Sequence, residues 1–150
     1  MTPISCIMLI DDNKIDNFFH ERVIRKNNAA EIIITKESAI EALAYLKQGN
    51  EVIQPNLIIL DINMPGMNGW EFLAEYKKID LDIKNIMVVV MLSVSEDPTN
   101  EALALTKGIW ATFKSKPVTK EMLEGLDVLY TNHLVQDTEA INSQNIQRHQ

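Results

Sequence analysis

The sequence predicts a doubly wound α/β fold, a five-stranded parallel sheet with five helices covering its two faces. Three observations predict it. Short apolar runs alternate with stretches of helical period from the N-terminus to about Leu134. The longest run, Ile86 to Leu92, is apolar at every position, as a central parallel strand buried on both faces must be. Finally, the residues that close successive runs are polar groups of distinct chemistry, at the rim where such sheets carry their ligand sites.

The elements follow in order. The first strand runs from Ile4 to Ile10 and stops at Asp11-Asp12-Asn13. Beyond it Ile15, Phe18, Phe19, Arg22 and Val23 fall at helical spacing, and only Arg22 breaks this apolar stripe of the first helix. Ile32-Ile33-Ile34 makes a short second strand. Ser38 with Glu41 is a capping box, and Ile40, Leu43, Ala44 and Leu46 continue that helix to Gly49. The third strand, Leu57 to Leu60, stops at Asp61. Pro65, Gly66 and Gly69 make the next stretch a loop, and are read as turn punctuation without chemistry of their own. Trp70, Phe72, Leu73 and Tyr76 begin the third helix. The fourth strand ends at Ser93, and Asp97-Pro98 predicts a short helix with proline at its first position, ending by Gly108. Trp110 to Phe113 is the fifth strand. Thr119 caps a last helix through Met122, Leu126, Leu129 and Tyr130. Past His133 the chain turns polar. The expected boundaries are therefore one domain over 4–134 and a tail over 135–150, extending the last helix by a turn or two or disordered.

Composition narrows the classes of function. A chain of 150 residues, 46% hydrophobic, has room for one compact domain. No apolar run approaches the about 20 residues a bilayer span needs, and Met1-Thr2-Pro3-Ile4 lacks the basic start of a signal peptide. A cytoplasmic protein without membrane contact is expected. Cys6 is the single cysteine, which excludes an internal disulfide and a cysteine-based metal site; it is read as buried and inert. The net charge of −7, from 21 acidic against 14 basic residues, comes without a basic stripe, so no nucleic-acid partner is expected.

The strand ends carry the chemistry. Asp11 and Asp12 close the first strand, Asp61 the third and Ser93 the fourth, and Lys116 lies just past the fifth. Three carboxylates at one rim repel, and coexist only with a cation or with raised pKa values. Mg²⁺ suits such a set, taking oxygen ligands from one or two carboxylates, water and a phosphate oxygen. Asp12 and Asp61 are candidate ligands, with Asp11 close by and the backbone carbonyl of Asn63 completing the protein's share. With its charge compensated, Asp61 is a candidate nucleophile toward phosphorus, giving an aspartyl phosphate. Lys116 and the Ser93 hydroxyl would meet the charge on the transferring group. Each residue alone has a plainer reading. Asp11 or Asp12 would cap a helix, Lys116 would be a solvated charge, and Trp70 and Trp110 would be packing residues. His20, beside the first helix's stripe, and His133, near the end of the last helix, are placed away from the acidic rim in structural or solvated roles. His149 falls in the tail.

At these residues the sequence resembles the bacterial response-regulator receiver family. The match comprises Asp11-Asp12 after a strand, Asp61 ahead of Met64-Pro65-Gly66-Met67-Asn68-Gly69, Ser93 ending the fourth strand, and Lys116-Pro117 after Phe113. It covers Ser5 to about Leu134. The resemblance implies a stand-alone, chemotaxis-regulator-like receiver of flavodoxin-like fold in a two-component phosphorelay. Asp61 would be the phosphoacceptor, Asp11 and Asp12 the metal-binding acids, and Lys116 the family's lysine, preceding a bond that is often cis. Ser93 would be the switch hydroxyl and Phe113 the aromatic switch residue. The protein would be a signalling phosphoacceptor rather than an enzyme, assisting its own phosphorylation and dephosphorylation. Its donor would be a sensor histidine kinase or histidine phosphotransfer protein, and its output would go through a protein partner the sequence does not name. Receivers often dimerise through the fourth helix, fifth strand and fifth helix, and the sequence leaves such a homodimer open. Val94 stands where the family usually has Ala or Gly, which predicts slower phosphorylation by small donors, and Asn63 and Ser95 stand where it tunes phosphoryl lifetime.

Three alternatives rank lower. A receiver-fold adaptor that is never phosphorylated would have little reason to keep Asp12, Asp61 and Lys116 together. A Mg²⁺-dependent phosphatase on another α/β fold would carry its paired aspartates two apart rather than adjacent. A flavodoxin-like cofactor binder would need a Gly or Ser/Thr cluster after the first strand, which is missing.

Overall fold

The computed structural model describes residues 4–80, 82–93 and 98–148, with side chains through Gln136 except that of Lys84. Val94, Ser95, Asp97 and His149, each given a place above, lie outside the described residues. The strands are β1 (Cys6–Ile10), β2 (Ile32–Lys36), β3 (Leu57–Asp61), β4 (Met87–Leu92) and β5 (Ala111–Ser115). They pair in parallel in the order β2-β1-β3-β4-β5. The helices are α1 (Lys14–Lys26), α2 (Ala39–Leu46), α3 (Gly69–Tyr76), α4 (Asn100–Leu105) and α5 (Lys120–Arg148). The doubly wound α/β expectation holds.

Alternate residues of each central strand enter opposite cores, which is why the runs are apolar throughout. Met8, Ile10, Ile58, Leu60, Val88 and Val90 pack with Leu43 and Leu46 of α2 and Phe72, Leu73 and Tyr76 of α3. Their neighbours Ile7, Leu9, Leu57, Ile59, Val89 and Met91 pack with Ile24 of α1 and Leu123, Leu126 and Tyr130 of α5. Each such side chain contributes about 1.5–3 kcal/mol by leaving water, so a polar residue inside β1 or β3 would be disruptive. The chain leaves β1 toward β2 on one side and later returns to β3 on the other. The β1/β3 boundary is therefore the topological switch point. Ile10 is level with Leu60, which brings the residues after them, Asp11 and Asp61, to the same height.

The opposite end of the sheet, where the strands begin, is fastened by one residue. Asn56 Oδ1 accepts from the Ser5 and Cys6 N–H groups at 3.1 and 2.9 Å and from Ser5 Oγ at 2.7 Å. Asn56 Nδ2 donates to the Tyr130 hydroxyl at 3.2 Å, and the Asn56 carbonyl accepts from Met87 N–H at 3.0 Å. One residue thus ties β1, β4 and α5 together before β3 begins.

Four local expectations are corrected. Most of the α1 stripe is turned away from the sheet: Ile15, Phe18 and Phe19 are 65, 61 and 54% exposed and only Val23 packs on the core, whereas Asn17, His20 and Ile24 are buried. The inward face is held at the rim by Asn17 Nδ2, which donates to the Asp11 carbonyl at 2.8 Å, and further along by Ile24, which packs in the core with α5. Second, α4 starts at Asn100 rather than at Pro98. Thr99 Oγ1 accepts from Ala102 N–H at 3.1 Å, and a hydroxyl cap satisfies an orphan donor that proline leaves open. Third, the Ser38 capping box is half formed. Ser38 Oγ accepts from Glu41 N–H at 3.1 Å, but the Glu41 carboxylate takes the Glu37 N–H instead. The full box stands at α3, between Asn68 and Glu71. Fourth, α5 continues unbroken to Arg148, much further than a turn or two.

Candidate functional site

The loops leaving β1 and β3 present their carboxylates side by side. Asn13 N–H donates to Asp11 Oδ1 at 2.9 Å, and Asn63 N–H donates to Asp61 Oδ1 at 3.2 Å. These two bonds have the same form, each steering a carboxylate by the amide two residues on. Asn13 also caps α1 through Ile15 and Asp16 N–H, so it takes the capping role considered for the acid pair. Oxygen atoms of Asp11, Asp12 and Asp61 lie within 4.8 Å of one another. Asp11 and Asp61 are buried, at 4 and 6% exposure, and Asp12 opens to solvent.

Lys116 reaches this cluster from beyond β5. Its N–H donates to the Leu92 carbonyl at 3.1 Å, and the Lys116–Pro117 bond is cis, as the resemblance led us to expect. Its Nζ lies 2.7 Å from Asp11 Oδ2, 3.0 Å from Asp16 Oδ2 and 3.5 Å from Asp61 Oδ2. Burial pulls the Lys116 pKa down, but its hydrogen bonds to Asp11 and Asp16 and the charges of Asp11 and Asp61 outweigh it. The ammonium is held above the ordinary lysine range and stays charged. Asp61 moves the other way. Burial first, then the Asp11 charge, push its carboxyl from 3.8 up to about 6, against the pull of Lys116 and the Asn63 amide.

One ammonium does not neutralise this set of carboxylates. The donors are all oxygen, two of the acids are desolvated, and the Asn17 Oδ1 that lines the same cleft is buried without a hydrogen-bond partner. An oxygen-only, electron-rich set of this kind fits a hard divalent ion.

The fifth strand is shifted from the expected Trp110 to Phe113, so that Phe113 is its middle residue rather than its last, and β4 stops one residue short of Ser93. Ser93 follows β4 at this rim and is exposed. Phe113, level with Val90, is half-buried against the core beneath α2 and α3. Trp70 packs on that same core, and Trp110 stacks on His133 and Tyr130 with ring centroids 3.9 and 5.5 Å away, so the packing readings hold. Cys6 is buried, with burial raising its thiol pKa to about 11, so it is unreactive at neutral pH.

Two residues differ from their sequence reading. His20 is not remote from the rim. It is buried and lines the same cleft as Asp11, Asp61 and Lys116, because the turn of α1 that exposes Phe18 and Phe19 carries His20 inward. Desolvation lowers its pKa, opposed by Asp16 and Asp11 and aided by Lys116, which keeps the ring neutral at neutral pH. Gly69 is more than turn punctuation. A Cβ there would sit 2.7 Å from Ile62 Cα and 3.0 Å from the Asp61 carbonyl, while its N–H donates to the Ile62 carbonyl at 3.0 Å. Asp16 is the site residue that sequence reasoning missed. Its signal was an acid in the first turn of a helix, which reads as a partner of the helix dipole.

Residues 7–126 match the family described as the response regulator receiver domain. The chain belongs to this family. Among its relatives, response regulator Rcp1 of a Synechocystis species is 32% identical over 131 residues, covering 83% of this chain and 88% of Rcp1. The two-component response regulator ARR17 of Arabidopsis thaliana is 33% identical over 128 residues, 80% of each chain. A crystal structure of a two-component response regulator from Cytophaga hutchinsonii superposes with a TM-score of 0.75 at 34% identity, covering 86% of this chain and 98% of that one. Another, from Legionella pneumophila, gives 0.69 at 29% identity, covering 85% and 98%. Receivers of this family are two-component signalling modules that interact with kinases or phosphotransfer proteins. No described helix is long and apolar enough to cross a membrane.

Proposed function

We propose that this receiver accepts a phosphoryl group on Asp61 and signals through protein contacts rather than by turning over a substrate. One observation carries the reading. Lys116 Nζ lies within 3.5 Å of Asp61 and 2.7 Å of Asp11, at the mouth of a cluster of three carboxylates. Asp11, Asp12, Asp61 and the Asn63 carbonyl would hold Mg²⁺, which when bound supplies compensation of the carboxylate and phosphoryl charge.

The residues do the rest. An Asp61 carboxylate oxygen attacks phosphorus of a phosphohistidine, forming an O–P bond as the N–P bond breaks, and the imidazole leaves and takes up a proton. Asn63 N–H holds the other carboxylate oxygen, which aims the nucleophile. Lys116 offers its ammonium to the equatorial oxygens of the transferring group. Ser93, at the end of the neighbouring strand, would move to bond a phosphoryl oxygen, and Phe113 would turn inward with it. The face of α4, β5 and α5 would then change its affinity for a partner protein. Ile15, Phe18 and Phe19, exposed on α1 beside Asp12, supply an apolar contact for the histidine-bearing donor. Residues 4–134 would be the signalling unit and the rest of α5 a polar extension, the whole acting in the cytoplasm.

The test is intact-protein mass after incubation with Mg²⁺ and phosphoramidate, with Asp61→Asn alongside. A single alkali-labile phosphoryl adduct, lost in Asp61→Asn and in EDTA, is the expected result. If wild type takes neither the adduct nor beryllofluoride, the adaptor reading replaces this one.

A further inference from the structure

Asp16 lies one turn into α1, outside the acid trio, and its carboxylate is 3.0 Å from Lys116 Nζ. An ammonium has three N–H donors. In this structure one goes to Asp11 at 2.7 Å, one to Asp16, and the third is nearest Asp61 at 3.5 Å, too far for a good hydrogen bond. Asp11 has a competing duty, because it belongs to the carboxylate cluster. Asp16 does not, and so it is the anchor that Lys116 keeps whatever Asp11 is doing.

We propose that Asp16 is a positioning residue. It holds the Lys116 ammonium with one donor aimed at the phosphoryl position beside Asp61. This rests on the reading of Asp61 as phosphoacceptor. The lysine chain is only partly covered, with 23% of its side chain exposed, and its four-carbon stem leaves the head free to wander without a fixed partner. Asp16 is itself fixed by the helix: its N–H is bound to Asn13 Oδ1 at 3.2 Å, in the turn that the cap organises. The Asn13 cap, the Asp16 carboxylate and the Lys116 ammonium thus form a chain of contacts from the start of α1 into the site. The helix-dipole role of an acidic first turn remains beside this one, but it would affect stability and not the affinity for a phosphoryl group.

The experiment titrates beryllofluoride, a phosphoryl mimic, at saturating Mg²⁺ into wild type, Asp16→Ala, Asp16→Asn and Asp16→Glu, followed by fluorine NMR. The half-saturating concentration is expected to rise about three- to fivefold in the Ala and Asn variants, the scale of one partly exposed charge pair. The Glu variant should recover to within about twofold, since its carboxylate regains Lys116 from the same turn. Melting temperatures of the unliganded proteins identify any variant that fails to fold. Unchanged or tighter binding in folded Asp16→Ala, beside normal binding by wild type, overturns the proposal and leaves the phosphoacceptor reading standing. Failure of wild type to bind at all overturns both.

Discussion

Replacing Asp61 by Asn should stabilise the metal-free protein, although it removes the proposed acceptor. The carboxyl is 6% exposed, and its pKa rises from 3.8 to about 6 because burial and the Asp11 charge disfavour the ionised form. A group whose folded pKa is raised contributes its stability in full below the unfolded value. That contribution is lost as pH rises through the folded value. The window is therefore about pH 4 to 6. At 1.36 kcal/mol per unit, ionised Asp61 costs the folded state about 2–3 kcal/mol at pH 7.5. Asn has the shape of the neutral acid and can still accept from Asn63 N–H, so Asp61→Asn should recover that amount. For a chain of this length the gain is roughly 4–12 °C in melting temperature. At pH 5 it should fall to about half, and near pH 4 it should almost vanish. The assay is thermal unfolding in EDTA at the three pH values. Adding Mg²⁺ at pH 7.5 should raise wild type and close much of the gap. Equal melting of the two proteins at pH 7.5, or a gain that persists undiminished at pH 4, would refute the claim that Asp61 is held in electrostatic conflict.

Four other positions carry further predictions. Lys116→Met leaves Asp11 and Asp61 without their cation; unfolding in urea with EDTA should show a loss of about 1–3 kcal/mol, and phosphorylation should drop at least about 10-fold. Gly69→Ala places a methyl 2.7 Å from the Ile62 backbone, and its denaturation midpoint should reveal a cost of about 2–4 kcal/mol, whereas a cost below about 1 would contradict the close approach. On α1, Phe18→Ala should change stability by no more than about 0.5 kcal/mol while Ile24→Ala should cost about 2–4; the reverse order would put the helix back in the orientation that its apolar stripe suggests.

The sequence-derived fold rested on the strands, and these were the legible part because apolar runs such as Met87–Met91 have no other economical place than between two layers of helix. The strand-end acids were legible for a related reason. A charge closing a buried run must emerge at the rim, and the strand order decides which charges meet there. Helix rotation was harder to read. In α1 the residues Ile15, Phe18 and Phe19 gave the stronger periodic signal, yet the face that turns inward is the one carrying Asn17, bonded to the Asp11 carbonyl, with His20 and Ile24. His20 and Asp16 were misplaced or overlooked for that one reason, since both depend on which way α1 faces. Gly69 was underestimated because its constraint is a contact with the backbone at Asp61 and Ile62, seven or eight positions back along the chain, which no local pattern records. The length of α5 was hidden by a sequence whose polar stretch reads equally well as solvated helix and as coil.

Asn56 gives the two ends of the sheet different electrostatic characters. Its bonds to Ser5, Cys6, Tyr130 and Met87 join neutral partners. At the other end, Lys116, Asp11, Asp16 and Asp61 are joined by opposite charges. The sheet is therefore tied by neutral dipoles at one end and by ions at the other, so salt and pH act on the rim and spare the opposite end.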